Sequence, residues 1–414
     1  MRTSCMHSYE DLAHRFLARP HGARDAAAAH AAYRKLLAGI SDAPSTGLPL
    51  QDDDPRVPRT NLAAYDYLGL SRFAEIRSAA HAAVDRWGTG TGGSPVTCGT
   101  LEVHEALSED LARHTGQEAA VLFSSGYAAN VGVVSMLARP GDLVVMDQYA
   151  HASAVDGARM SGARIMRFRH NDPDHLARRL GSWTGSGQRL VYVEGIYSME
   201  GDTAPLAAVS RIAGEHDALL MVDEAHSEFL VGFSGGGACR AAGVVPDVHM
   251  GTLSKTLNCQ GGFVSGAAWL MDWISGVSRS RMFSGSLSPV LASAARAAIR
   301  VAVGRPELRE DLARNSAFLR RRLAHLRVPV TGDSQIVPVH IGDSTACALV
   351  SARLTKRGID VFPVAYPAVP EGRARLRLSV TAAHTVPELE RAALAIAQAI
   401  DEVLRAPAGL HVGG

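Results

Sequence analysis

The most reactive candidate in the chain is a lysine that follows a short apolar run. Lys255 stands between Ser254 and Thr256, and the apolar residues before it (Val244, Val245, Val248 and Met250) predict a short buried strand. A lysine held there is partly desolvated, which lowers its pKa and favours Schiff-base chemistry with a carbonyl compound. Taken alone, a surface lysine on a loop is the alternative interpretation.

A second stretch, about thirty residues upstream, favours the interpretation of Lys255 as a Schiff-base lysine over that of a surface lysine. Residues 218–226 read Ala-Leu-Leu-Met-Val-Asp-Glu-Ala-His, which predicts a buried strand with charged residues at its end. Open α/β sheets bind ligands at the carboxyl ends of their strands. A pyridinium cofactor that is joined to a lysine also needs an acidic or basic partner at its ring nitrogen. Asp223 and Lys255 fit these two roles.

A turn rich in small residues could bind an anion. Residues 123–130 run from a predicted strand end through Ser125, Gly126 and Tyr127 into a helix. Free backbone N–H groups at a helix start suit a phosphate, and Thr252 could donate to the same group. A tight turn that needs small residues for steric reasons is the alternative.

Three further polar residues stand close to predicted strand ends. His151 could stack on a flat cofactor, although a polar loop histidine is the alternative when the residue is taken alone. His226 could hydrogen-bond a cofactor oxygen or the reacting substrate. Ser198 closes another strand, within residues 194–202.

Three arginines alternate near the C-terminus and could serve a carboxylate. Arg373, Arg375 and Arg377 lie on a strand-like run, so their side chains share one face. One arginine that points inward could bind a carboxylate through two hydrogen bonds. A solvated face is expected for the other two.

Composition limits the classes of partner. Of the 414 residues, 47% are apolar and 20% are charged, as is typical of globular proteins, and the net charge of +1 disfavours nucleic acid and anionic membranes. No apolar stretch is long enough to span a membrane, and no signal peptide is recognisable. The five cysteines are scattered without a C-x-x-C pair, which argues against a metal site and for a reducing compartment. We therefore expect a cytoplasmic protein.

The order of predicted elements indicates an α/β fold. Strands alternate with helices from Asn61 to about residue 290, which predicts a mostly parallel sheet covered on both faces. After that the sequence predicts one long helical stretch (292–328), followed by strands and helices in an α+β pattern. We expect a helical N-terminal arm (1–60), a large cofactor-binding domain (61–290) and a small C-terminal domain (291–414).

Several ordered motifs make the chain resemble a known family. The sequence is similar to the α-oxoamine synthases, which are fold-type I enzymes that use pyridoxal 5′-phosphate (PLP). The resemblance runs from about residue 61 to residue 390. Its motifs are residues 67–70, 88–94, 99–104, 124–130, 194–202, 223–226, 251–255 and 375–379.

The resemblance implies a role for each of the candidate residues around the cofactor ring. Lys255 would carry the cofactor and Asp223 would lie at the pyridine nitrogen. His151 would stack on the ring, His226 would lie at the phenolic oxygen, and Ser198 would make a further contact.

The resemblance also implies which residues would bind the cofactor phosphate and the substrate carboxylate. The Ser125–Gly126–Tyr127 turn would lie near the phosphate with Thr252. Ser284 and Ser286 would reach the same phosphate from the partner subunit of a homodimer, and Arg377 would bind the carboxylate of the amino acid.

The implied reaction is a decarboxylative condensation. A small α-amino acid and an acyl thioester, on coenzyme A or a carrier protein, give an α-amino ketone in a specialised or biotin-like biosynthetic pathway. An aminotransferase or aldolase of the same fold type is one alternative. A non-catalytic subunit of a heterodimeric synthase is another, although such subunits lack the lysine that is present here as Lys255.

The sequence departs from the family pattern at a few positions, which we expect to line the substrate side of the site. They are Tyr65, Pro95, Glu228, Phe229, Asn258 and Ser288.

Overall fold

A computed structural model describes residues 59–366 and 368–405. The predicted N-terminal helical arm falls on residues 1–60, so nearly all of it lies outside the described residues.

The described residues form twelve strands in three sheets. In chain order the strands are β1 (Thr60–Asn61), β2 (Ala119–Phe123), β3 (Leu143–Asp147), β4 (Arg164–Phe168), β5 (Arg189–Glu194), β6 (Ala218–Asp223), β7 (Val248–Thr252), β8 (Gly262–Gly266), β9 (Ile336–Gly342), β10 (Ile359–Asp360), β11 (Phe362–Val364) and β12 (Ala374–Ser379).

The α-helices connect and cover these sheets. They are α1 (Ala74–Trp87), α2 (Glu102–Thr115), α3 (Gly126–Leu137), α4 (Ala152–Ser161), α5 (Pro173–Gly181), α6 (Leu206–Glu215), α7 (Gly237–Ala241), α8 (Ala268–Val277), α9 (Arg279–Met282), α10 (Pro289–Gly304), α11 (Glu307–His325), α12 (Ser344–Lys356) and α13 (Val386–Leu404). Two 3₁₀ helices, Leu70–Arg72 and Phe233–Gly235, lie in connecting segments.

The central sheet has seven strands in the order β2-β8-β7-β6-β5-β3-β4. Strand β8 is antiparallel to both of its neighbours, and the other adjacent pairs are parallel. Strands β3 and β7 are buried along their whole length, as expected for a sheet with helices on both faces. The expectation of a mostly parallel sheet within an α/β fold is confirmed.

The parallel arrangement brings strand ends together at one edge of the sheet. Asp223 ends β6 and pairs in register with Glu194, the last residue of β5. On its other side Asp223 pairs with Met250, two residues before the end of β7 at Thr252. Polar groups at these carboxyl ends therefore lie side by side, as the rule for open α/β sheets predicts.

The C-terminal part contains a small antiparallel sheet. Strand β12 lies between β11 and β9 and is antiparallel to both. Helix α12 packs on this sheet, and α13 packs against α11 and α12. The antiparallel sheet with its helices agrees with the predicted α+β character.

The predicted single helical stretch over 292–328 is wrong. Two helices, α10 and α11, are separated at Arg305 and Pro306. Proline lacks the backbone N–H that a helix interior requires, and it disfavours helical dihedral angles in the residue before it. Arg305 accordingly leaves the helical region, with φ −124° and ψ 74°.

The boundary between the large and the small domain stays a prediction. Helix α10 begins at that boundary and packs against α1 and α2 of the preceding part. One cluster of buried apolar side chains also runs from Leu62 to Val403. Among the described residues, no helix is both long and apolar enough to cross a membrane.

Candidate active site

A cavity of about 210 Å³ lies at the carboxyl ends of the central strands. Most of the candidate residues meet there. Its lining consists of Ser125, Gly126, Tyr127, Asn130, His151, Ser153, Glu194, Asp223, Ala225, His226, Met250, Thr252, Ser254 and Lys255.

Lys255 follows β7 on a tight loop and is half-buried. The loop is closed by the Leu253 N–H, which donates to the Gly261 carbonyl at 3.0 Å. Loss of water around the Lys255 ammonium group lowers its pKa below the ordinary value, and the positive charge of Arg377 acts in the same direction, while Asp223 opposes both. At a given pH a larger fraction of the Lys255 amine is therefore unprotonated than in a surface lysine.

Asp223 is held rigidly by three donors. Its Oδ2 accepts hydrogen bonds from Asn130 Nδ2 at 2.7 Å and from the Tyr192 hydroxyl at 2.8 Å. Its Oδ1 accepts from the Ala225 N–H at 2.9 Å. These contacts fix the orientation of the carboxylate toward the cavity.

Sequence reasoning gave Asn130 and Tyr192 no role, although Asn130 closes the 124–130 motif. Asn130 also donates to the Ser153 hydroxyl at 3.0 Å, so it connects the start of α3 with the start of α4. Tyr192 lies within β5 and carries no local sequence signal of its function. Its contact with Asp223 depends on the pairing of β5 with β6.

Glu194 is a further residue that sequence reasoning missed. It is buried beside Asp223, and its Oε1 has no hydrogen-bond partner among the described residues. Burial and the neighbouring Asp223 carboxylate raise the pKa of Glu194 well above its ordinary value. This environment favours the protonated form of the side chain.

The two candidate histidines lie in different environments. His151 caps helix α4, its Nδ1 lies 2.7 Å from the Ser153 hydroxyl, and the residue remains exposed. His226 is buried, and its Nδ1 lies 2.8 Å from the Tyr67 hydroxyl. Burial, followed by the positive charge of Lys255, lowers the pKa of His226 well below its ordinary value, so its ring is neutral.

The start of helix α3 offers an anion site beside Thr252. The Ser125 hydroxyl accepts from the Ala128 N–H at 3.0 Å and so caps the helix. A β-carbon on Gly126 would lie 3.0 Å from Met250 Cε and 3.2 Å from the Thr252 side chain, so only glycine fits without displacement. The N–H groups and the partial positive charge of the helix start favour a phosphate there.

These residues fit PLP by their chemistry. A lysine amine can bind its aldehyde carbon, a fixed carboxylate can pair with its ring nitrogen, and a helix start can bind its phosphate. Lys255, Asp223 and the turn at Gly126 provide these three groups around one cavity. The exposed ring of His151 leaves a face open for stacking.

Arg377 is buried, with 2% of its surface exposed, and points toward the two tyrosines near the start of the described chain. Its Nη1 donates to the Tyr65 hydroxyl at 2.7 Å, and its guanidinium carbon lies 4.5 Å from the centre of the Tyr65 ring. Its Nη2 lies 3.4 Å from the Tyr67 hydroxyl, and its Nε has no partner among the described residues. The guanidinium group therefore retains hydrogen-bonding capacity for a ligand.

The expected solvated face holds for Arg373 but is wrong for Arg375. Arg373 is exposed. Arg375 is buried, and its Nη1 lies 2.8 Å from the Glu200 carboxylate. Glu200 belongs to a loop of the large part of the chain, so sequence alternation gave no sign of this long-range ion pair.

Four predicted residues are absent from the lining of the Lys255 cavity, and Arg377 is one of them. Ser198 is another. Ser284 and Ser286 line a separate cavity of about 390 Å³, and Ser286 Oγ is buried without a partner among the described residues. The role of the two serines at a partner's cofactor stays a prediction.

The departures from the family pattern do not all face the substrate side. Tyr65 contacts Arg377, the predicted carboxylate-binding residue, so its place on the substrate side stays a prediction. Glu228 and Phe229 do not face that side, because both are buried and neither lines the Lys255 cavity. Ser288 caps helix α10 by accepting from the Val290 N–H at 3.3 Å. The expectation is thus wrong for Glu228 and Phe229.

Comparison with known proteins gives a family match over most of the chain. Residues 57–396 match the family described as aminotransferase class I and II. An 8-amino-7-oxononanoate synthase from Geobacter sulfurreducens is 41% identical over 343 residues, which cover 81% of this chain and 88% of that protein.

Solved structures give the same picture. The Sphingomonas wittichii serine palmitoyltransferase has a TM-score of 0.81 and 33% identity, and the match covers 84% of this chain and 89% of that one. A serine palmitoyltransferase variant from S. paucimobilis, solved with PLP and myriocin bound, has a TM-score of 0.86 and 31% identity. That match covers 93% of this chain and 99% of the other.

Proposed function

The chain belongs to the α-oxoamine synthases, within the aminotransferase class I and II family, and we propose that the cavity around Lys255 is where it carries out their reaction. These enzymes are PLP-dependent acyltransferases. They join an amino acid to an acyl thioester with loss of carbon dioxide and give an α-amino ketone. The observation that carries the proposal is the convergence of Lys255, Asp223, His151, His226 and Thr252 on one cavity.

We assign the residues that hold the cofactor from their positions in the cavity. When bound, PLP supplies an electron sink for the negative charge that develops at the amino acid Cα. Asp223 would keep a proton on the ring nitrogen, since its carboxylate is fixed by Asn130 and Tyr192. His151 would stack on the ring, and the turn at Gly126 would bind the phosphate together with Thr252.

Lys255 would also act as the base. Its lowered pKa leaves a larger fraction of the amine unprotonated, so that it can take the Cα proton of the substrate. His226 would contact the phenolic oxygen of the cofactor or the reacting carbonyl group as a neutral donor. Its hydrogen bond with Tyr67 would hold the ring in place.

Arg377 would orient the substrate carboxylate. Its planar guanidinium group can form two parallel hydrogen bonds with a carboxylate, which fixes the amino acid in one orientation. The buried Nε without a partner and the contact with Tyr65 support this assignment.

The product class follows from the family, and the individual substrates remain to be assigned. The relatives named 8-amino-7-oxononanoate synthase favour that product, within a biotin-like pathway. Tyr65 beside Arg377 and the likeness to serine palmitoyltransferases favour a specialised pathway with another donor. The donor would be an acyl thioester of coenzyme A or of a carrier protein. We propose a cytoplasmic location, on the basis of the scattered cysteines, which are free at all four positions within the described residues.

Product analysis tests the assignment of the reaction. Purified protein is incubated with a panel of amino acids, each with and without a panel of acyl thioesters, and the products are identified by mass spectrometry. We expect an α-amino ketone that forms only when both substrates are present. A keto acid that forms without any thioester would instead identify an aminotransferase.

We further propose that the protein is a homodimer with shared active sites. Ser284 and Ser286 lie away from the Lys255 cavity of their own chain, as residues that serve a partner would. Phe283, which directly precedes Ser284, is 73% exposed, and Trp269 in α8 is 71% exposed. Such side chains are typical of a surface that a second copy covers, and a two-fold axis would bring each pair of serines to the partner's cofactor.

Sedimentation and one substitution test this assembly. We expect a dimer at assay concentrations, and we expect Ser286→Ala to weaken cofactor retention by roughly 1 kcal/mol, the contribution of one hydrogen bond. Equilibrium dialysis of the cofactor gives the second value, with Ser275→Ala, a serine of the same cavity, as the control. A fully active monomer would contradict the proposal.

A further inference from the structure

A buried cluster of three ionisable side chains lies outside the proposed mechanism. Glu228 is 1% exposed and stands between two buried histidines. His114 Nε2 lies 2.9 Å from its Oε1, and His249 Nε2 forms an ion pair with its Oε2. The His114 ring also stacks on Phe229, with centroids 4.1 Å apart and planes inclined by 15°.

The cluster carries charge at neutral pH. Burial acts to raise the pKa of Glu228, but the charge of His249, its hydrogen bond and the close contact with His114 lower it to about 2. His114 Nε2 also lies 3.2 Å from the Gly235 carbonyl. Burial likewise acts to lower the pKa of His249, but Glu228 raises it above its ordinary value, with smaller contributions from Glu224 and Asp223. A carboxylate is therefore paired in the interior with an imidazole whose protonated form it favours.

A buried ion pair of this kind contributes little net stability to a fold. Removing two charges from water offsets most of their mutual attraction, so apolar side chains of similar volume often stabilise a fold as well or better. Phe229 adds strain, since its φ of 66° lies in the left-handed region that disfavours residues with a β-carbon. A role in holding particular segments in place accounts for these features.

Glu228 is connected to the active site through its own turn. Its N–H donates to the Glu224 carbonyl at 2.8 Å, so residues 223–228 form one compact turn after β6. The same turn carries Asp223 and His226 into the Lys255 cavity.

Glu228 is also connected to the segment that carries Lys255, at two points. Its backbone carbonyl accepts from the hydroxyl of Thr256, the residue after Lys255, at 3.0 Å. Its carboxylate binds His249 in β7, and Met250 and Thr252 of the same strand line the cavity. One residue thus joins the two segments that meet at the cavity.

We propose that Glu228 is a positioning residue, which holds the turn of Asp223 and His226 in register with the Thr252–Lys255 segment through His249 and Thr256. The inference rests on the proposed function of the Lys255 cavity. Its consequence is that the charge of Glu228 controls the geometry between the cofactor-binding carboxylate and the lysine, without touching either substrate.

The test compares Glu228→Gln with wild type as holoenzymes. Glutamine keeps the size of the side chain and removes its charge, so the two segments are expected to shift relative to each other. We expect the cofactor to dissociate roughly tenfold faster, and kcat to fall about tenfold while the amino-acid KM changes less than about twofold. The pH titration of the Lys255-linked cofactor absorbance should also move.

A second pair of variants separates positioning from folding. Thr256→Val removes only the hydroxyl contact, and Thr256→Ser keeps it. We expect the valine variant to release the cofactor several-fold faster and the serine variant to behave like wild type. As a control, Asp110→Asn removes the Asp110–Arg296 ion pair between α2 and α10, and should lower the melting temperature without altering cofactor release.

The outcomes are distinguishable. If Glu228→Gln does not fold, the comparison of Thr256→Val with Thr256→Ser decides the question. Wild-type cofactor release in both Glu228→Gln and Thr256→Val would overturn the positioning role, even if Glu228→Gln melted at a lower temperature. A wild-type protein with no cofactor on Lys255 would overturn the proposed function and this inference together.

Discussion

Lys255→Ala is expected to abolish both turnover and the covalent attachment of the cofactor, while the fold is retained. Alanine cannot bind the cofactor aldehyde or take the Cα proton, so kcat should fall by roughly three orders of magnitude or more. The cavity is otherwise unchanged by the substitution, and PLP should still bind non-covalently at the Gly126 turn.

The composition of the chain makes this experiment unusually clear. Only three lysines are present, at positions 35, 255 and 356. Reduction with borohydride followed by peptide mapping should place the label on Lys255 alone in the wild type, and on no residue in the variant. Lys356→Ala, at the end of α12, is the matched control and should keep both label and activity. A labelled, fully active Lys255→Ala protein would contradict the assignment.

Arg377→Lys is expected to have the second largest effect, and to affect one substrate only. Lysine keeps the charge but loses the planar, two-point contact with a carboxylate. The amino-acid KM should rise and kcat/KM should fall by roughly tenfold or more, which corresponds to about 1.4 kcal/mol of transition-state stabilisation. The apparent affinity for the acyl donor should change little.

The control for this experiment is the exposed Arg373. Arg373 lies two residues before Arg375 and four before Arg377, and Arg373→Lys likewise replaces a guanidinium group by an amine. The amino-acid KM of this variant should stay near that of wild type. Steady-state kinetics with each substrate varied in turn provide the measurement. Wild-type behaviour of Arg377→Lys toward the amino acid would place the carboxylate site elsewhere, with Tyr65 as the first residue to examine.

Local sequence patterns predicted the central sheet and most of the residues at its edge. Apolar runs with polar residues at their ends predicted β6 and β7, and the parallel arrangement then required Asp223 and the Lys255 loop to be neighbours. The small-residue turn at Gly126 was likewise recognisable, because a helix start that packs closely against another strand favours glycine there.

Contacts between distant segments could not be predicted in this way. Tyr192 binds Asp223 only because β5 pairs with β6, and Arg375 is buried only because Glu200 meets it from another part of the chain. Glu228 is the plainest case. Its sequence position suggested the substrate side, yet its side chain contacts two buried histidines, one in α2 and one in β7.

The central claim is that one cavity couples loss of carbon dioxide to transfer of an acyl group. The most direct measurement follows both products from an amino acid labelled in its carboxyl carbon. With the substrate pair found by product analysis, we expect labelled carbon dioxide and free thiol to appear in a one-to-one ratio. Neither should form when either substrate is omitted or when Lys255 is replaced by alanine. Thiol release without carbon dioxide, or equal rates in the Lys255→Ala variant, would contradict the account.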